Sequence, residues 1–126
     1  MALQVLIVDD DAGVLFLHEL MLEESGLSDD ILAFNKAETA IIYLNNSSKK
    51  QRVIVFLDIN MPGMNGWEFM DHISKNDSYK HVDVVIVTSS VNKFDKIKSE
   101  NYSQIIGFIE KPLSLDGCEK ILNNNL

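Results

Sequence analysis

Five short apolar segments recur along the chain, and none is long enough to form a stable helix by itself. Four of the five are rich in Val and Ile, which is typical of strands buried on both faces of a sheet. The pattern therefore predicts five β-strands, at residues 4–8, 31–34, 53–57, 84–87 and 105–109.

The segments between these strands have the spacing of amphipathic helices. Apolar residues recur at intervals of three and four within 37–44 and again within 66–73. Val14, Leu17 and Met21 follow the same spacing, and they predict the inward face of a helix after the first strand.

Capping residues predict where the helices begin and end. Asn35 and Asn65 each precede a glutamate by three residues, Glu38 and Glu68, which predicts a capping box at both positions. Gly26 predicts the end of the first helix, because glycine adopts the left-handed backbone conformation that commonly ends helices.

The segment 92–102 is the weakest of the predicted helices. Phe94, Ile97 and Tyr102 are its large apolar residues, and they stand among many Lys, Asp and Glu side chains. We therefore expect this helix to be weakly anchored to the core. Ser114 predicts the N-cap of a short last helix.

A strand followed by a helix, repeated five times, predicts a doubly wound α/β fold with a parallel sheet, right-handed crossovers and helices on both faces. A chain of 126 residues forms one such domain without disulfides or a structural metal. In open sheets of this kind ligands bind beyond the carboxyl ends of the strands. The residues at those ends are therefore the candidates for function.

Charge and cysteine content exclude several classes of protein. The chain has 11 Lys and Arg against 19 Asp and Glu, a net charge of −8, which disfavours direct nucleic-acid binding and anionic membranes. Cys118 is the one cysteine, no signal peptide is evident, and no apolar run approaches 18 residues. These features predict a soluble, cytoplasmic protein.

Acidic residues, a threonine and a lysine follow the predicted strands. Asp9 and Asp10 follow the first strand, Asp58 the third, Thr88 the fourth and Lys111 the fifth. A carboxylate pair about 4 Å apart costs on the order of 4 kcal/mol at an effective dielectric near 20, which a divalent cation would relieve. Oxygen ligands suit Mg²⁺, and a lysine with a hydroxyl opposite the ion would neutralise a phosphoryl group.

These motifs resemble the receiver domain of two-component response regulators, and in size the chain is similar to stand-alone, chemotaxis-regulator-like members. The resemblance rests on Asp9-Asp10 after Val-Leu-Ile-Val, on Asp58 within Phe-Leu-Asp-Ile-Asn-Met-Pro-Gly-Met-Asn-Gly, on Thr88-Ser89, and on Lys111-Pro112. It implies one receiver domain over residues 1–126 with no output domain, a flavodoxin-like sheet of strand order 2-1-3-4-5 with five helices, and a cis Lys111-Pro112 bond.

The resemblance also implies a Mg²⁺-dependent phosphorylation site. Asp58 would accept the phosphoryl group from a sensor histidine kinase or a phosphotransfer protein. Asp10 and Asp58 would bind Mg²⁺ directly, Asp9 would bind it through water, and the backbone carbonyl of Asn60 would complete the protein ligands. The chain would then catalyse only its own phosphorylation and dephosphorylation.

The remaining matched positions imply phosphate binding and a switch. Lys111, the Thr88 hydroxyl and the Ser89 N–H would contact phosphoryl oxygens. Thr88 and Phe108 would then change the face formed by the fourth helix, fifth strand and last helix. An unknown protein effector, or a second copy in a phosphorylation-dependent dimer, would bind that face through Phe94 and the lysines at 93, 96 and 98.

Other interpretations remain open from the sequence. An aspartyl-phosphate hydrolase would share the metal and the nucleophile, but it normally has an aspartate where this chain has Asn60. A flavodoxin-like cofactor-binding domain would need a phosphate loop where this chain has three aspartates. Asp11 is better explained as a helix N-cap than as a ligand. Thr88 is also explained as an ordinary strand residue, and Phe108 as an ordinary residue of the hydrophobic core.

Overall fold

The computed structural model describes residues 3–47, 51–89 and 91–125, with Leu122 and Asn125 described in their backbone alone. Five strands alternate with five α-helices, and one 3₁₀ turn follows the third helix. The strands are β1 (Leu3–Val8), β2 (Ile31–Phe34), β3 (Arg52–Asp58), β4 (Val82–Thr88) and β5 (Ile105–Glu110). The helices are α1 (Ala12–Ser25), α2 (Ala37–Asn46), α3 (Gly66–Ser74), α4 (Lys93–Ser99) and α5 (Leu115–Asn125), and the 3₁₀ turn spans Asp77–Tyr79.

The strands form one parallel sheet in the order β2-β1-β3-β4-β5, which confirms the predicted fold. The register brings the carboxyl ends of the strands to one edge. Val8 of β1 lies opposite Leu57 of β3, and Asp58 lies opposite Val87 of β4. The residues that follow β1, β3, β4 and β5 therefore start from neighbouring positions.

The sheet separates two layers of core. Alternate side chains of the central strands point to opposite faces, so β3 is buried on both and its apolar residues contribute to each layer. One layer contains residues of α2 and α3, including Leu44 and Phe69, and the other includes Leu22 of α1 and Ile121 of α5. Burial of a side chain such as Phe69 contributes about 1.5–3 kcal/mol to folding. This rigid sheet supports the loops at its carboxyl edge.

The predicted inward face of α1 is confirmed for Met21, which packs against the core layer of α1 and α5, and is wrong for Leu17. Leu17 is 40% exposed, whereas His18 and Leu22 are buried. The apolar residues of α1 surround most of its circumference, so their spacing alone does not select a face. The choice is made by tertiary contact, because the buried His18 ring accepts a hydrogen bond from the backbone N–H of Leu113 (3.2 Å).

The helix ends confirm part of the capping pattern. Asn65 and Glu68 form the predicted capping box, and Gly26 ends α1 at φ 71°. The predicted cap at Asn35 is wrong, since α2 begins after Lys36 and no side chain among the described residues caps it. The carbonyl of Lys36 accepts the N–H of Ala40, so the first helical hydrogen bond starts one residue beyond Asn35.

The weakly anchored fourth helix is confirmed. All seven residues of α4 are described, and Ser99 alone among them is buried. Phe94 is 82% exposed and Ile97 is 52% exposed. Cys118 lies buried in α5, and burial raises the pKa of its thiol. None of the helices in the described ranges has both the length and the apolar character required to cross a membrane.

Candidate functional site

The predicted site residues lie together at the carboxyl edge of the sheet. Asp9 immediately follows β1, Asp58 and Thr88 are the last residues of β3 and β4, and Lys111 immediately follows β5. Asp9, Asp58 and Thr88 are buried, whereas Asp10 is exposed. The parallel topology therefore brings into contact residues that are up to about 100 positions apart in the sequence.

Lys111 connects two of the carboxylates. Its Nζ lies 2.6 Å from Oδ2 of Asp9 and 3.5 Å from Oδ2 of Asp58. Its backbone N–H donates to the carbonyl of Thr88 (2.7 Å), and the Lys111-Pro112 bond is cis, as predicted. The shorter contact shows that, in this state, the ammonium pairs chiefly with Asp9.

Backbone N–H groups donate to the second carboxylate oxygen of Asp9 and of Asp58. Oδ1 of Asp9 accepts the N–H of Asp11 (2.9 Å), and Oδ1 of Asp58 accepts the N–H of Asn60 (3.2 Å). The loop after β3 folds back tightly, because the N–H of Gly66 donates to the carbonyl of Ile59 (2.9 Å). A Cβ at Gly66 would lie 2.8 Å from the Asp58 carbonyl oxygen, so a side chain there would displace the backbone of Asp58.

The electrostatics of the site favour a bound cation. Burial and the charge of Asp9 raise the pKa of Asp58 to about 6, against the opposing effects of Lys111 and the Asn60 N–H. For Lys111, burial lowers the pKa, but its hydrogen bond to Asp9 and the charges of Asp58 and Asp9 outweigh burial, so the pKa is raised. One ammonium therefore leaves an excess of negative charge around Asp58.

The donor set fits a hard divalent cation. Carboxylate oxygens of Asp9, Asp10 and Asp58 all lie within 4.8 Å of one another. Oxygen ligands of this kind suit Mg²⁺, which keeps several waters and accepts one or two carboxylates. The open position of Asp10 leaves room for those waters at the solvent side.

Asp11 and His18 border the site without joining the carboxylate cluster. Oδ1 of Asp11 accepts the N–H groups of Gly13 and Val14, so Asp11 caps α1 as predicted. His18 connects α1 to the segment that follows Lys111 through its bond to the Leu113 N–H. Burial lowers the pKa of His18, with the charge of Asp9 acting in the opposite direction. No signal in the sequence indicates this partner, which lies 95 residues away.

The positions predicted to contact phosphate and to act as a switch lie on β4 and β5 or directly after them. Thr88 is fully buried and Ser89 is exposed. Phe108 lies opposite Ile86 in β4, is partly buried, and packs against the core layer of α2 and α3. Ser90, which resembles one of the family's variable positions, lies outside the described residues.

Comparison with known proteins identifies the class. Residues 5–123 match the family model described as the response regulator receiver domain, so the chain belongs to the receiver-domain family of two-component response regulators. Receiver domains are signalling modules, and they bind Mg²⁺ at an acidic pocket. They interact with histidine kinases or phosphotransfer proteins.

The matched relatives include regulators of different lengths. Response regulator Rre1 of Synechocystis is 30% identical over 124 residues, which is 98% of this chain and 52% of that protein. The chain thus spans about half of the length of Rre1. Protein PilH of Pseudomonas aeruginosa is 27% identical over 95% of this chain and 94% of its own length.

Solved structures agree with the fold. A two-component response regulator from Cytophaga hutchinsonii superposes with a TM-score of 0.88 at 28% identity, covering 97% of this chain and 95% of the other. A response regulator receiver protein from Dyadobacter fermentans gives 0.86 at 29% identity, covering 97% and 96%. The fold of the chain is therefore that of a receiver domain.

Proposed function

We propose that Asp58 is the phosphoacceptor of this receiver domain, in a Mg²⁺-dependent reaction with a phosphohistidine of a sensor kinase or phosphotransfer protein. One observation carries the proposal. The ammonium of Lys111 lies between the carboxylates of Asp9 and Asp58, within a cluster that also includes Asp10. A nucleophilic carboxylate is thus adjacent to the cationic group that a transferred phosphoryl group needs.

The transfer forms one bond and breaks one. A carboxylate oxygen of Asp58 attacks the phosphorus, an O–P bond forms, and the P–N bond of the donor breaks with its electron pair remaining on the imidazole nitrogen. Dephosphorylation is a second transfer: water attacks the phosphorus, the O–P bond to Asp58 breaks, the carboxylate recovers that electron pair, and both water protons leave with the inorganic phosphate. These two reactions, its own phosphorylation and dephosphorylation, are the ones that we expect the chain to catalyse.

Four residues would hold the metal. Asp10 and Asp58 would bind it directly, Asp9 would bind through water, and the carbonyl of Asn60 would complete the set. Bound Mg²⁺ would neutralise charge on the phosphoryl oxygens. The ion pair between Asp9 and Lys111 supports an indirect role for Asp9, because Oδ2 of Asp9 already accepts from the ammonium.

Lys111, Thr88 and Ser89 would bind the remaining phosphoryl oxygens. Lys111 would move its principal contact from Asp9 to the new anion, a short step because its Nζ is already 3.5 Å from Asp58. The Thr88 hydroxyl and the Ser89 N–H would donate to the other oxygens. The phosphoryl group carries about −1.5 to −2 charges in place of the single carboxylate charge of Asp58, which provides the differential interaction that a conformational switch requires.

Movement of Thr88 would allow Phe108 to turn inward and would change the surface of α4, β5 and α5. We propose that an effector protein, or a second phosphorylated copy, recognises this surface. Phe94 and the lysines at 93, 96 and 98 are exposed on α4 and are the contacts we assign to it. The weak anchoring of α4 supports this assignment, because a small difference in contact energy between two conformations is enough to shift a weakly held helix.

The test is stoichiometric labelling by acetyl phosphate, measured by intact mass. Wild-type protein with Mg²⁺ should gain one phosphoryl group, and Asp58→Asn should gain none. Asp77→Asn, at an exposed carboxylate far from the site, is the matched control and should label like wild type. Labelling of Asp58→Asn to the wild-type extent would overturn the assignment. Release of many phosphates per chain without accumulation of the phosphorylated form would instead support the hydrolase interpretation.

A further inference from the structure

Helix α4 covers the sheet incompletely. Residues of α4, of the turn that follows it and of β5 line an open cavity of about 430 Å³, with Phe108 among its walls. The largest apolar side chains of α4, Phe94 and Ile97, point largely to solvent. Contacts with the sheet therefore contribute little to the position of this helix.

A cluster of four side chains connects this part of the chain to α3 instead. We define the α3–α4 cluster as Trp67 and Asp71 of α3, Lys98 of α4, and Tyr102 in the turn after α4. The rings of Trp67 and Tyr102 stack, with centroids 6.0 Å apart and planes 21° apart. Lys98 Nζ lies 4.9 Å from the Trp67 ring centroid, and the Tyr102 hydroxyl donates to Oδ1 of Asp71 (2.6 Å).

Each of these contacts has a recognised physical basis. Lysine over an aromatic face is a cation–π interaction, and offset-stacked rings attract beyond their buried area. The bond from Tyr102 to a carboxylate is charge-assisted. That bond, more than burial or the charge of Asp71, raises the pKa of Tyr102 to about 12, so the phenol remains a donor at neutral pH.

The cluster joins a rigid element to a weakly held one. On the α3 side, Trp67 is buried in the core, and the capping box of Asn65 and Glu68 fixes the first turn of the helix. On the α4 side, the N–H of Tyr102 donates to the carbonyl of Ser99 (3.2 Å), so the tyrosine ring is tied to the last turn of α4. The position of α4 is thus set from α3.

We propose that the α3–α4 cluster holds α4 in its resting position and thereby opposes the phosphorylated conformation. This inference rests on the proposed function, in which phosphorylation moves the face that contains α4. Contacts made only in the resting state stabilise that state, so they lower the apparent affinity for any ligand that favours the other. Trp67, Lys98, Tyr102 and Asp71 therefore act as positioning residues for the switch.

Two substitutions weaken the cluster without emptying the core. Tyr102→Phe keeps the stacked ring and removes the bond to Asp71, and Lys98→Gln removes the cation from the Trp67 face. Tyr43→Phe and Lys75→Gln are the matched controls. Tyr43 also forms a side-chain hydrogen bond, from Gln4, but at the other end of the sheet, and Lys75 is an exposed lysine that follows α3.

Beryllofluoride with Mg²⁺, a mimic of the phosphoryl group, provides the readout, with binding followed by the amide NMR signal of Asn60. We expect half-saturation at an about three- to tenfold lower beryllofluoride concentration in Tyr102→Phe and Lys98→Gln than in wild type. Hydrogen exchange of the α4 amides, measured without the mimic, should accelerate in the same two variants. Both controls should match wild type in both measurements.

The outcomes separate this inference from the proposed function. Unchanged half-saturation in both cluster variants, with normal binding by wild type, would overturn the positioning role even if the variants lose stability, because a merely structural role does not favour the bound state. Absence of binding in wild type itself would contradict the proposed function, and the positioning role with it.

Discussion

Replacing Asp58 by asparagine should stabilise the metal-free protein. The asparagine is nearly the same size and retains a carbonyl oxygen that can accept the N–H of Asn60. It removes a buried negative charge that lies beside Asp9. The change therefore tests whether this carboxylate is maintained at a cost to stability.

The magnitude follows from the raised pKa of Asp58. A shift from 3.8 to about 6 corresponds to about 3 kcal/mol at neutral pH, at about 1.36 kcal/mol for each pH unit. The site opens to solvent beside Asp10, so we expect screening to reduce the gain to about 2 kcal/mol. The folded-state pKa is above the unfolded value, so the wild type loses this stability as pH rises from about 4 to about 6, and the advantage of Asp58→Asn grows over the same interval.

Urea unfolding followed by circular dichroism, with EDTA present, measures this difference. Asp58→Asn and wild type should differ most at pH 7, and the difference should shrink toward pH 4.5. Asp77→Asn, whose carboxylate is 94% exposed, should remain within about 0.5 kcal/mol of wild type at each pH. A destabilised Asp58→Asn protein at pH 7, or a gain independent of pH, would refute the electrostatic reasoning.

Three further predictions concern the same edge of the sheet. Mg²⁺ at 100 times its dissociation constant should stabilise wild type by about 2.7 kcal/mol, seen as a higher Tm; an equal shift in Asp10→Asn would mean that the metal binds elsewhere. Gly66→Ala should lower the free energy of unfolding, measured by urea unfolding, by about 2 kcal/mol, because the added Cβ would lie 2.8 Å from the Asp58 carbonyl oxygen. A free energy of unfolding equal to that of wild type would show that the loop moves without a cost in stability. Asn60→Lys should slow loss of the phosphoryl label, followed by intact mass, since a long side chain would obstruct water; an equal or faster rate would contradict this account.

The amino-acid sequence by itself determined the order of elements and the composition of the site. Parallel strands buried on both faces need continuous runs of apolar residues, and such runs are visible without a structure. Once five runs alternate with helices, the residues that follow them must meet at one edge, because parallel strands all end on the same side. Asp9, Asp58, Thr88 and Lys111 were therefore predictable as neighbours.

Local capping was predictable where the required side chains act within one turn. Asn65 with Glu68 and Asp11 with the next N–H groups depend only on nearby backbone, and both were confirmed. Asn35 has the same local pattern, yet α2 begins one residue later. The pattern identifies a residue that is able to cap a helix, but it does not determine how many residues separate the end of β2 from the start of α2.

Tertiary structure alone decided the contacts that depend on competition between distant partners. Because α1 is apolar on most sides, its periodicity does not select the residue that faces inward. His18 lies inward because its ring accepts a hydrogen bond from the N–H of Leu113. The Nζ atom of Lys111 lies about 1 Å closer to the carboxylate of Asp9 than to that of Asp58. This difference depends on the backbone positions of three strands. The contacts of Trp67 with Lys98 and Tyr102 likewise join residues of separate elements. Sequence periodicity describes which side of an element is apolar, whereas these distances depend on how separate elements are placed relative to one another.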